Sequence, residues 1–289
     1  MKLPSVGATL QSAIQRLNVS HVPSPRLNAE ILLMFTLGCD RAYLYGHPER
    51  ELTVEEQFRY EEALTHREQG VPAQYITGHQ EFWGMDLIVT PAVLIPRPET
   101  DHVIETVLAL VRQARVGRTL MSDALKLVDV GTGSGCIALA LAKELPQAEI
   151  HATEISPAAL EIAEANAARH QLTHRIQFHD TDLLAKLQPA YFDFVVSNPP
   201  YVGECEEDSV QLEVRKFEPR GAVFAGPTGV ETIERLIPQA RESLKPGGWL
   251  VMEISGTIAD AVRELLTGWN AIEITNDLQG IARVVSARA

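Results

Sequence analysis

A chain of 289 residues with 45% hydrophobic content holds enough apolar material for one large domain or two ordinary ones. A formal net charge of -13 and a pI near 5.2 argue against a general nucleic-acid binder, because phosphate affinity comes mainly from clustered Lys and Arg. Cys39, Cys136 and Cys205 lie far apart with neither CxxC nor Cys/His spacing, so no disulfide framework and no metal site are indicated.

The start, "MKLPSVGATLQSAIQRL", has no long apolar segment and no Arg-rich, acid-free transit character, and nowhere do 18 apolar residues run uninterrupted. A bacterial-type cytoplasmic protein in a reducing compartment is expected. From residue 5 to about 70, "TLQSAIQRL", "SPRLNAEILLMFTLG" and "TVEEQFRYEEALTHREQG" repeat apolar residues at helical spacing. Ser24 and Thr53 stand as cap candidates and Gly38 and Gly70 as stops. Residues 71–98 change to β-branched and aromatic residues broken by Gly and Pro, which predicts a hairpin-like connector.

Beyond it, strands alternate with helices. "ALKLVDV", "AEIHATEI", "RIQFHD", "FDFVVS", "GWLVMEIS", "AIEITND" and "ARVVSAR" read as strands. "CIALALAKEL", "PAALEIAEANAARH", "GVETIERLIPQARESL" and "IADAVRELL" read as helices. Such alternation predicts an α/β fold with a parallel sheet covered on both faces, whose ligands sit at the carboxyl ends of the strands.

"VDVGTGSGC" follows the first of these strands and opens its helix. Gly131, Gly133 and Gly135, with Thr132 and Ser134 between them, let the backbone turn tightly and approach a ligand. A glycine loop alone is also compatible with a plain strand-to-helix turn. The next strand ends at Glu154, 25 residues beyond Asp129, where a carboxylate can accept hydrogen bonds from both hydroxyls of a ribose. Together they indicate a nucleoside cofactor. The spacing G-x-G-x-G, with Cys136 where the dinucleotide pattern continues, favours S-adenosyl-L-methionine over NAD. Cys136 itself reads as a small helix-start residue rather than a nucleophile. Asp182 and Leu183, just past the third strand, are placed to meet the adenine amino group and cover its ring, although an Asp there also suits a helix cap.

"SNPPYV" stops the next strand with Asn198, Pro199, Pro200 and Tyr201. The chemistry this suits is methylation of a planar NH2. Such a nitrogen is a poor nucleophile, so catalysis is mostly positioning. The Asn198 oxygen and the Pro199 carbonyl can accept its two N–H groups, Pro200 brings no competing N–H, and Tyr201 can pack against the plane.

With these motifs the sequence resembles the release factor glutamine methyltransferases (the PrmC/HemK family). "NPPY" alone is shared with adenine-N6 DNA methyltransferases and ribosomal-protein glutamine methyltransferases, so both remain alternatives. "YITGHQEFWG", "LIPRPETD", "VDVGTGSG", "SNPPYV" and "KFEPRGAVFAG" occur in the family's order and narrow the choice. The resemblance implies a class I, Rossmann-like, seven-stranded methyltransferase sheet over 99–289, a hairpin connector over 71–98 and a helical substrate-binding domain over 1–70. It implies transfer from S-adenosyl-L-methionine, leaving S-adenosyl-L-homocysteine, to the glutamine of the Gly-Gly-Gln tripeptide in class 1 peptide chain release factors. No direct nucleic-acid or membrane partner is implied, and a monomer is expected.

Carried over by position, the resemblance places the cofactor on Gly131 to Gly135, Glu154, Asp182 or Leu183, and Asn198. It places the substrate glutamine on Asn198, Pro199, Pro200 and Tyr201. "IPRPET" would bring Arg97 and Glu99 to the pocket mouth with Phe82 nearby; the same residues also suit a Pro-stiffened linker with solvated charges. The sequence departs from the family at Glu154, where many members carry Asp, and after "MEIS", where "GTIADA" replaces Gly-x-x-Gln. Residues 204–213, "ECEEDSVQLE", set acids beside the Asn-Pro-Pro-Tyr loop and speak against DNA.

Overall fold

A computed structural model describes residues 3–116 and 124–289. The chain forms two compact units, Met1–His79 with Leu212–Phe217, and Gln80–Gln211 with Glu218–Ala289.

The first unit is helical: α1 (Val6–Val19), α2 (Pro25–Leu37), α3 (Arg41–Gly46), α4 (Val54–Glu68) and α5 (Ala73–Thr77). Leu17, Leu32, Leu33, Leu64 and Tyr60 are fully buried at its centre, and the Tyr60 hydroxyl donates to the Ala29 carbonyl at 3.0 Å. Thr53 caps α4 in a complete capping box with Glu56. Ser24 does not act as expected: its backbone is left-handed at φ 49° and its side chain makes no cap bond, so Pro25 at the first helical position starts α2 instead. The helix α3, capped by Asp40, has no counterpart among the sequence-predicted elements. Leu212–Phe217 joins this unit through Arg67, a buried guanidinium that donates to Asn28, to the Val71 carbonyl and to Glu213 at 2.6 Å.

The second unit carries a seven-stranded sheet, numbered here β1 (Lys126–Val130), β2 (Glu149–Glu154), β3 (Ile176–Asp180), β4 (Phe192–Ser197), β5 (Leu244–Glu253), β6 (Asn270–Asn276) and β7 (Ala282–Arg288). Their order is β6-β7-β5-β4-β1-β2-β3. The five strands from β3 to β5 are parallel, as the alternation predicts, and β7 runs antiparallel to both neighbours, which makes the sheet mixed. Asp277 makes that reversal short, because its carboxylate accepts from the N–H groups of Gln279 and Ile281 in the β6–β7 turn.

Side chains alternate along the strands: Leu127 enters one core layer, and Val128 and Val130 the other. The first layer is filled by α6 (Asp101–Val116), which has no counterpart among the sequence-predicted elements, with Val103, Ile104, Val107 and Val111 buried. It also receives α7 (Cys136–Glu144) and the hairpin His79–Phe82/Met85–Ile88, whose turn residues Trp83 and Gly84 both take positive φ as a tight hairpin requires. Phe82, Met85 and Leu87 are buried in this layer. Among the described residues no helix is long and apolar enough to cross a membrane.

The β1 strand is the switch point. From it the chain winds through β2 to β3, then returns to place β4 on the opposite side, so the ends of β1 and β4 border a crevice of the kind that binds ligands in such sheets.

Candidate active site

A cleft of about 500 Å³ opens at the carboxyl ends of β1, β2 and β4. Of the sequence-predicted residues, Gly131, Thr132, Gly133, Ser134, Glu154, Asp182, Leu183, Asn198 and Pro200 line it. Gly135, Pro199, Tyr201 and Arg97 do not.

The three glycines of the loop divide two tasks. All have left-handed φ, at 70°, 55° and 84°. A Cβ on Gly131 or Gly133 would meet nothing within 4 Å, so their bare faces leave room for a ligand. A Cβ on Gly135 would lie 3.2 Å from Leu139 and 3.3 Å from Ala163, so that glycine serves helix packing. The loop's N–H groups are spent on the protein: Gly131 and Thr132 donate to the Thr153 carbonyl, each at 2.9 Å, and Gly133 donates to Glu154 at 2.9 Å. Three consecutive amides so engaged cannot cradle a pyrophosphate, which supports the choice of a sulfonium nucleoside over a dinucleotide.

Glu154 is largely buried and more occupied than expected. One oxygen takes Gly133, and the other takes the N–H groups of Ile155 and Ser156, each at 2.9 Å. Three of the roughly four acceptor directions of a carboxylate are therefore filled, leaving one for a ribose hydroxyl without rearrangement. Asp182 pairs with Arg235, which also lines the cleft, so its role as an adenine acceptor competes with an ion pair. Leu183 presents its side chain from a left-handed backbone at φ 50°.

Two residues that the sequence did not single out hold this half of the cleft. Asp129, 1% exposed, accepts from the Thr132 hydroxyl at 2.6 Å and from Ala138 N–H at 3.1 Å, while its other oxygen has no partner among the described residues. Burial, with a smaller push from the Glu154 charge, raises its carboxyl to about 7. Asn166, fully buried, bonds Ile88 N–H at 2.7 Å, the Ile88 carbonyl at 3.0 Å and the Ser134 carbonyl at 2.9 Å. It ties the hairpin to the glycine loop. Cys136 lines the cleft as a thiol, pushed up to about 12 by burial.

At the other half, the Asn198 Nδ2 donates to the Thr100 hydroxyl at 3.2 Å, and that hydroxyl donates to Glu253 at 2.7 Å. Tyr201 donates to the other Glu253 oxygen at 2.9 Å; burial first, then this carboxylate, holds the phenol far above its ordinary range. The ring thus anchors the loop from outside the cleft instead of facing it. Arg97 is likewise turned aside: Glu218 takes its guanidinium and also the Ile95 N–H at 3.2 Å, clamping the 92–97 wall to the 218–222 wall. Phe82 lies in the core and not at the mouth. Ser255 and Thr257, in the loop that departs from the family pattern, hydrogen-bond each other.

The PrmC N-terminal domain model matches residues 8–78, and the methyltransferase small domain model matches residues 116–215. A release factor glutamine methyltransferase of Koribacter versatilis is 56% identical over 279 residues, covering 96% of either chain. The chain belongs to the release factor glutamine methyltransferase family. A member from Chlorobaculum tepidum is 40% identical across 100% of this chain and 98% of its own. Among solved structures, the hMettl16 catalytic domain with a MAT2A 3′UTR hairpin aligns at TM-score 0.55 and 18% identity, over 80% of this chain and 81% of that one, which is a likeness of fold.

As a member of this methyltransferase family the protein uses S-adenosyl-L-methionine. The cleft fits that cofactor on its own evidence. Its volume is in the range of small-molecule sites. The open faces of Gly131 and Gly133 leave room for the nucleoside, and Glu154 keeps one acceptor direction for a ribose hydroxyl.

Proposed function

We propose that this enzyme methylates the side-chain amide nitrogen of the glutamine in the Gly-Gly-Gln tripeptide of class 1 peptide chain release factors. The observation that carries this reading is Asn198 on the wall of the cleft that holds the glycine loop and Glu154, followed by the Pro199–Pro200 pair. When bound, S-adenosyl-L-methionine supplies an electrophilic methyl group on sulfonium. The chain's task is to hold a planar carboxamide still. The Asn198 oxygen on the cleft wall and the backbone carbonyl of Pro199, whose ring lies behind that wall, accept its two N–H groups, and both favour positive charge as it builds on nitrogen. Gly131 to Ser134, Glu154, Asp182 and Leu183 hold the nucleoside. The helical unit grips the protein substrate, a role suited to its exposed Phe35, Tyr45, Val54 and Phe58. The enzyme acts as a cytoplasmic monomer.

Transfer to a ribosomal protein is the second reading, and transfer to DNA adenine the third. Glu204, Glu206, Glu207 and Asp208 follow the Asn-Pro-Pro-Tyr loop and repel a phosphate backbone, although Arg220 pairs with two of them. The test is transfer of labelled methyl to a purified release factor, its Gln→Ala variant, ribosomal protein and unmethylated duplex DNA. Label should enter only the intact release factor. Equal label on the Gln→Ala factor would overturn the glutamine assignment, and label on either other acceptor alone would replace it.

A further inference from the structure

Glu253, in the "MEIS" stretch, carries no role in the reading of the motifs, yet it sits where two of them meet. It ends β5 at 1% exposure, accepting from Thr100 on one oxygen and from Tyr201 on the other. Thr100, also 1% exposed, closes the Pro98–Thr100 turn before α6, and its oxygen is the partner of Asn198 Nδ2.

The direction of these bonds matters. A hydroxyl has one hydrogen. As a carboxylate, Glu253 can only accept; with the Thr100 hydrogen so committed at 2.7 Å, the Thr100 oxygen can only accept from Asn198. The NH2 half of the Asn198 side chain must then face Thr100, and the carbonyl half is left without a bond from the described residues. The opposite flip would bring an NH2 donor against the NH2 of a substrate, two donors facing each other.

We propose that Glu253 and Thr100 are positioning residues that lock the flip of the Asn198 carboxamide, so that its oxygen is the atom offered to the substrate amide. This inference rests on the amide-methylating reading of the site. Tyr201 supports it from the far side, by holding the Glu253 carboxylate so that its other oxygen stays on Thr100.

The experiment has two arms on the full chain. In the first, side-chain 15N spectra follow the Asn198 NH2 pair, assigned by its loss in Asn198→Ala. Wild type should show slowed hydrogen exchange at this pair; Thr100→Val should lose it, and Thr100→Ser should regain it. In the second, methyl transfer to a release factor is measured for the same variants. Thr100→Val should lower kcat about tenfold or more, with cofactor Kd within about threefold, and Thr100→Ser should restore it. In an Asn198→Ala background Thr100→Val should change the residual rate less than about threefold, because the hydroxyl acts through Asn198.

An Asn198 NH2 pair unaffected by Thr100→Val overturns the proposal. So does an equal loss of rate with and without Asn198. Should wild type fail to methylate the release factor, the substrate reading falls while the spectra still decide the flip. Thr100→Ala, which removes the hydroxyl with less bulk, replaces Thr100→Val if melting shows that the latter misfolds.

Discussion

Replacing Asn166 with alanine should loosen the cleft from behind, without touching any ligand. The side chain is fully buried and makes three bonds to backbone groups, at Ile88 N–H, the Ile88 carbonyl and the Ser134 carbonyl. Alanine leaves all three without their partner. At about 1–3 kcal/mol for each unsatisfied group, and with water able to refill part of the space, a loss of roughly 3–5 kcal/mol is expected. For a domain of this size that corresponds to a Tm lower by about 10 °C, read by calorimetry or near-UV circular dichroism. Asn166→Asp should be no better, since it keeps an acceptor for Ile88 N–H but faces two carbonyls with a charge instead of a donor. Cofactor affinity should fall in parallel, because Ser134 belongs to the glycine loop. A Tm shift below about 3 °C in Asn166→Ala would refute the claim that this side chain joins hairpin and loop.

Two further outcomes follow from the same geometry. Gly133→Ala must hold an L side chain at φ 55° and projects its methyl into open cleft, so cofactor Kd by titration calorimetry should weaken about tenfold or more while the fold survives; unchanged Kd would show that the space is not used. Asp129, raised by burial to about 7, gains a proton as pH falls through that value; its charge sits behind the glycine loop and attracts a cationic cofactor from a distance, so Kd should be weaker by about two- to fivefold at pH 6 than at pH 8, and Asp129→Asn should flatten the profile. An equally steep profile in Asp129→Asn would assign the titration elsewhere.

What the sequence disclosed and what it hid divide by distance along the chain. The glycine loop, Glu154 and Asn198-Pro-Pro-Tyr are local patterns whose residue types carry their own chemical reasons, and seven of the residues so identified line one cleft. The supporting side chains have partners far away in sequence: Asn166 meets Ile88 across 78 residues, Asn198 meets Thr100 across 98, and Thr100 meets Glu253 across 153. Nothing in a short window announces such pairs. The same holds for Leu212–Phe217, six residues whose anchor Glu213 meets Arg67 from 146 residues away. The helix α6 is different, since Val103, Ile104, Val107 and Val111 repeat at helical spacing and could have been read. Tyr201 and Arg97 were legible as motif members, but their direction was not, because Glu253 and Glu218 turn them from the cleft.

The carboxamide clamp is tested most directly by Asn198→Ala, measured for cofactor Kd and for single-turnover transfer to a release factor in one preparation. Loss of the acceptor should leave Kd within a few-fold and slow transfer by about 10²-fold or more. Transfer near the wild-type rate with cofactor bound would contradict the account.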